Sequence, residues 1–136
     1  MDENSELDVL NSACKEAKTE GKLTGKTLTR LYEAFGQRFT KAFEALKENR
    51  VKKYVFRPSG KVVWIVVGKE RDYLVMAQAD FCTCDDFYFR VLDRQVHVCY
   101  HLIAQKIASA LGWFDLVEES DQLFDSLMSE WKKPTV

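Results

Sequence analysis

The amino-acid sequence predicts an α+β fold: a three-stranded antiparallel meander from the middle of the chain, packed with two N-terminal and two C-terminal helices. Three observations predict it. Apolar residues recur at helical spacing from Leu7 to Leu46 and again from Leu102 onward. Between these stretches, from Val51, the period changes to two and β-branched and aromatic residues dominate. Glycine and proline stand at the junctions, where a change of element needs them. With 136 residues, 46% hydrophobic and 12% aromatic, the chain has enough apolar surface for a core, and its length suits a single domain over 1–136.

The first helix follows from Leu7, Leu10, Cys14 and Ala17, which share a face among charged neighbours until Gly21. Cys14 stands alone on that face and reads as core. After Gly25, Leu28, Leu31, Tyr32, Phe35, Phe39, Ala42, Phe43 and Leu46 form one stripe, which predicts a single helix of about five turns ending near Glu48. The helical part thus covers 1–50. Tyr54 and Phe56 lead into Pro58-Ser59-Gly60, a turn joining two hairpin strands. The return strand from Lys61 to Val67 is almost entirely apolar and is expected to be central. Gly68 to Asp72 turns the chain into a third strand, Tyr73 to Ala79, completing the meander within 51–80. Leu102, Ile103, Ile107, Ala110 and Leu111 mark a helix stopped by Gly112. A final helix is predicted within 113–136, capped by Ser120 or Asp121, lined by Leu123, Phe124, Leu127, Met128 and Trp131, and ended by Pro134.

Charge is uneven although the net value is −1. Residues 15–71 carry 15 Lys or Arg against six Glu, while 115–136 carry two bases against six acids. Lys41, Lys47, Arg50, Lys52, Lys53, Arg57 and Lys61 are therefore candidates for phosphate contacts on DNA, set against the plainer reading of a solvated face. No stretch approaches the roughly 18 apolar residues of a membrane span, and the acidic start does not resemble a signal peptide. An intracellular protein is expected, and in a reducing compartment its four cysteines read as metal ligands rather than disulfides.

Cys82-Thr83-Cys84, then 14 residues, then Cys99-Tyr100-His101 make a C-x-C and a C-x-H pair. Three thiolates and one neutral imidazole close the tetrahedral shell of a structural zinc ion, leaving no open position for chemistry. Cys82 and Cys84 follow a strand, while Cys99 and His101 open a helix whose positive end favours thiolate. One structural zinc on Cys82, Cys84, Cys99 and His101 would pin strand to helix. His97 is an alternative nitrogen ligand, a residue orienting the site, or a surface side chain, and Asp85 is a hydrogen-bonding neighbour or simply solvated.

At these residues the sequence resembles the SWIM zinc finger, whose pattern is C-x-C, a variable spacer and C-x-H. Ala104, three residues after His101, extends it to the C-x-H-x-x-A form of the Shu-complex SWIM proteins. One turn above His101, a side chain this small lets the zinc loop pack close to the helix. Pro58-Ser59-Gly60, Val63, Gly68, Tyr73, Phe81, Phe87, Phe89, Val91 and Leu92 are also similar in kind and order, so the resemblance spans about Val51 to Ala108. Tyr100 departs from it, standing where many members carry a basic residue. The resemblance implies a SWIM zinc finger and its helix over 81–112. It implies a non-enzymatic partner of a RecA/RadA-family recombinase paralogue that assists homologous recombination and DNA repair and meets DNA through the complex. Neither a membrane nor a small-molecule substrate is expected as a partner. The compact form resembles an archaeal member; location would be cytoplasmic in an archaeon and nuclear in a eukaryote. Trp113, Phe114, Trp131 and the aromatic stripe are the candidate partner-binding residues, because aromatic anchors dominate interfaces.

Two other chemistries fail on the residues. Gly21-Lys22-Leu23-Thr24-Gly25-Lys26-Thr27 has three residues between its glycines where a P-loop needs four, and it lies between helices rather than after a strand. Cys99 and His101 as nucleophile and base are better explained by a shared metal, so catalysis is not expected.

Overall fold

The computed structural model describes residues 6–69, 71–76 and 98–132, and the backbone of 81–82. Three helices come first: α1 (Glu6–Glu20), α2 (Gly25–Phe35) and α3 (Gln37–Lys47). Strands β1 (Val51–Arg57), β2 (Lys61–Val67), β3 (Asp72–Met76) and β4 (Phe81–Cys82) follow, then α4 (Tyr100–Leu111), β5 (Asp115–Ser120), a 3-10 turn (Asp121–Leu123) and α5 (Phe124–Lys132). The class is α+β, as predicted.

Helix α1 has Glu6 and Asp8 in its first turn and Lys18 in its last, so its charges oppose its dipole. It buries Leu10, Ala13 and Ala17, and ends where Gly21 takes φ 75°. Burial pushes the Cys14 thiol up to about 11, against a smaller opposing influence of Lys106, which leaves it protonated at neutral pH.

The single long helix expected after Gly25 is instead two. Gly36 adopts φ 56° and ψ −124°, a conformation that a side chain strongly disfavours, and the helix breaks there. The apolar stripe runs through the break because both halves face the same core: Leu31 and Phe35 from α2, Phe39, Ala42, Ala45 and Leu46 from α3. Thr24 caps α2 by accepting from the Thr27 amide at 3.2 Å.

The expected hairpin forms, with Val51 opposite Val66 and Phe56 opposite Lys61. The sheet then exceeds the predicted meander. Its order is β4-β3-β2-β1-β5, with β5 running parallel to β1 from Lys52↔Asp115 to Arg57↔Ser120. Within 113–136 only the final helix is expected from the sequence, but the residues that precede it, Asp115–Ser120, form this edge strand. Only Leu116 and Val117 of β5 are apolar, so its place comes from pairing with β1 rather than from its own pattern.

Strand β2 is central and buried on both faces, which explains its continuous apolar run. Trp64 and Val66 join Val51, Val75 and the buried faces of α1, α2, α3 and α4 in one core. Val63 and Ile65 join Phe56, Leu74 and Trp131 in a second, closed by Phe124, Leu127 and Met128 of α5. Ser120 caps the 3-10 turn through the Gln122 amide, and Asp121 accepts from Ser59 N at 2.9 Å and Ser59 Oγ at 2.7 Å, tying the hairpin turn to the start of α5. Among the described residues no helix is long and apolar enough to cross a membrane.

Candidate metal centre

Cys99 is the N-cap of α4, with φ −90° and ψ 167°, so its side chain stands at the positive end of the helix. His101 lies in the first turn, and Gly112 at φ 73° ends the helix as expected. Cys99 is 1% and His101 3% exposed. Helix α4 packs on α1 and α3 on one side and on β2, β3 and β4 on the other. Cys82 belongs to β4, where its backbone pairs with Val75, so its strand lies beside the helix that carries Cys99 and His101. The Cys82 side chain, Cys84, Asp85 and His97 lie outside the described residues, as does the loop that Ala104 would accommodate. Ala104 itself is fully buried. Among the described residues no three His, Cys, Asp or Glu side chains come together, two of the four candidate ligands being outside that set.

The imidazole of His101 has an unusual environment. Both Nδ1 and Nε2 are buried, and neither has a hydrogen-bond partner among the described residues. A buried polar atom left unmatched costs about 1–3 kcal/mol, so two on one ring call for an occupant. A metal ion at one nitrogen answers that need, and the donor type, beside a cysteine at a helix N-terminus, suits zinc. Tyr73 and Tyr100 pack on the imidazole with centroids 4.2 Å and 3.8 Å away. Cations lie beyond both, Arg71 over Tyr73 at 5.1 Å and Lys41 over Tyr100 at 5.9 Å.

Gly68 makes the Tyr73 position possible. A Cβ there would lie 2.6 Å from Tyr73 Cε2 and 2.8 Å from the Arg71 carbonyl oxygen. Gly68→Ala is expected to push Tyr73 off His101 and lower stability by about 1–3 kcal/mol, measured by urea denaturation. An unchanged midpoint would show that Tyr73 is not held by this contact.

Arg38 carries a role that its place in a basic block hides. Its Nη1 donates to the Val98 carbonyl at 2.6 Å and to Glu6 Oε1 at 2.9 Å, while Nη2 pairs with Glu6 Oε2. It thereby holds α3 and α1 to the residue just before Cys99. The separation of these partners in sequence left no local signal.

The seven candidate phosphate contacts do not share one face. Lys53 lies opposite Trp64 on the side of the first core, while Lys52 points to the other side and pairs with Asp115. Arg57 meets Glu118 at 3.2 Å and Arg50 meets Glu48 at 2.9 Å. Lys41, Lys47 and Lys61 each lie over an aromatic ring, Tyr100, Phe43 and Phe124 respectively. Of the candidate partner-binding aromatics, Trp131 is 5% exposed, which makes it a core residue. Trp113 is 41% exposed. With the half-buried Phe114 and with Phe43, Leu46 and Lys47 it lines an open groove of about 470 Å³.

Fold and site together define a class: an α+β protein in which a C-x-H pair opens a buried helix beside the strand that carries Cys82, the first cysteine of a C-x-C pair. No family model matches the chain. It is 30% identical over 122 residues to the zinc finger SWIM domain-containing protein 7 homolog of Dictyostelium discoideum, covering 88% of this chain and 78% of that protein. The chain belongs to the family of zinc finger SWIM domain-containing protein 7. The human protein of that name is 26% identical over 129 residues, 93% of this chain and 91% of its own. An uncharacterized protein of Archaeoglobus fulgidus is 39% identical over 92 residues, 65% of this chain and 72% of its own.

Proposed function

We propose that this protein holds one structural zinc ion through Cys82, Cys84, Cys99 and His101, and that it serves as a non-enzymatic accessory subunit of a RecA/RadA-family recombinase paralogue in homologous recombination and DNA repair. The zinc reading is carried by His101, whose two buried ring nitrogens lack partners among the described residues beside Cys99 at a helix start. The names of the relatives support it. When bound, the ion would supply a closed crosslink between strand and helix rather than a Lewis acid. The partner reading comes from the SWIM resemblance, and the Trp113 groove supports it by offering an accessible aromatic anchor. The division of the basic residues between two faces, several of them paired with acids, favours DNA contact through the complex over direct binding by this chain.

The test is a pull-down of the native protein with mass-spectrometric identification of its partners. A recombinase paralogue as the main partner, lost on Trp113→Asp, is the expected result. Its absence from the native pull-down would overturn the accessory-subunit reading.

A further inference from the structure

One helical turn beyond His101, Gln105 is 2% exposed, and its Oε1 is buried with no hydrogen-bond partner among the described residues. Residues four apart on a helix are neighbours on one face. The two side chains are also opposite in kind. A carboxamide oxygen only accepts, whereas a neutral imidazole that gives one nitrogen to a metal has an N–H to donate at the other. Metal-bound histidines nearly always donate that second N–H, which sets the tautomer and the ring orientation. The rings of Tyr73 and Tyr100 pack on the imidazole, so its polar contacts are confined to its edge.

We infer that Gln105 is a positioning residue for the metal centre: the structure makes no hydrogen bond between the two side chains, and with zinc on His101 a turn of the Gln105 carboxamide brings Oε1 to the ring N–H that faces away from the ion. The inference rests on the zinc reading above, and it gives a partner to a polar atom on a helix whose other buried residues include Leu102, Ile103, Ala104, Ile107 and Ala108. A hydrogen bond of this kind raises the basicity of the ligating nitrogen and prevents the ring from turning.

The experiment compares the zinc-loaded full chain with Gln105→Met, which keeps length and volume but removes the acceptor, and with Gln105→Glu, which keeps it. The readouts are nitrogen-15-edited NMR of the His101 ring and zinc affinity by competition with a chelator. Wild type should show a His101 ring N–H protected from exchange. Gln105→Met should lose that protection and bind zinc about tenfold more weakly, and Gln105→Glu should restore the protected signal. If Gln105→Met disturbs folding by circular dichroism, Gln105→Leu supplies the same comparison. An unchanged protected N–H and unchanged affinity in the acceptor-free variant would overturn the inference alone. Failure of the wild type to take up zinc would overturn the zinc reading and this inference with it.

Discussion

Replacing His101 with alanine should reduce zinc from about one ion per chain to nearly none and lower the melting temperature by about 10 °C or more. The binding free energy of a structural zinc is folding free energy, because the unfolded chain holds no preformed site. His101 is 3% exposed within the larger core, so the loss of the ion would be felt where α4 meets β3. Metal content measured by atomic emission and a thermal melt decide the matter. In excess chelator the wild type should melt near the variant, since both then lack the crosslink. Unchanged metal content and melting temperature in His101→Ala would overturn the ligand assignment.

Arg38→Leu should cost about 2–4 kcal/mol in a urea titration and weaken zinc binding at the same time. The Arg38 side chain is 19% exposed and that of its partner Glu6 26%, so this pair is shielded more than a surface salt bridge. Its removal takes one donor from the Val98 carbonyl and the Arg38 cation from the Glu6 carboxylate. The link to the metal is positional, because Val98 immediately precedes Cys99 and Arg38 reaches it from α3. Glu6→Gln separates the two contributions. It weakens the ion pair and keeps the bond to Val98, so it should cost about 1 kcal/mol or less. Equal losses in both variants would mean that the carbonyl contact contributes nothing.

Local features explain which parts of the fold could be read from residues alone. Helix α1, the Pro58-Ser59-Gly60 turn, the central β2 and the Gly112 stop of α4 each follow from periodicity or from a residue with special backbone freedom. Such signals act within a few residues. The Gly36 break was masked because apolar residues continue at helical spacing on both sides of it, and only the backbone at Gly36 departs from the helix. Strand β5 was missed because an edge strand with two apolar residues takes its stability from its neighbour. Trp131, an interface candidate by residue type, is buried because α5 lies on the second face of the sheet.

For the candidate site the same division holds. Residue type and spacing alone determined the C-x-C and C-x-H pairs, and with them the start of α4 at Cys99 and His101, because a ligand pair and a helix start are both short-range patterns. Only the tertiary structure decided that Tyr73 and Tyr100 pack on His101 with both its nitrogens unmatched among the described residues, that Gly68 makes room for Tyr73, and that Arg38 holds the approach to Cys99. Each of those contacts except Tyr100 to His101 joins residues on different elements or across a turn. They exist only after the sheet register and helix packing are in place, and no local pattern of residues carries that information.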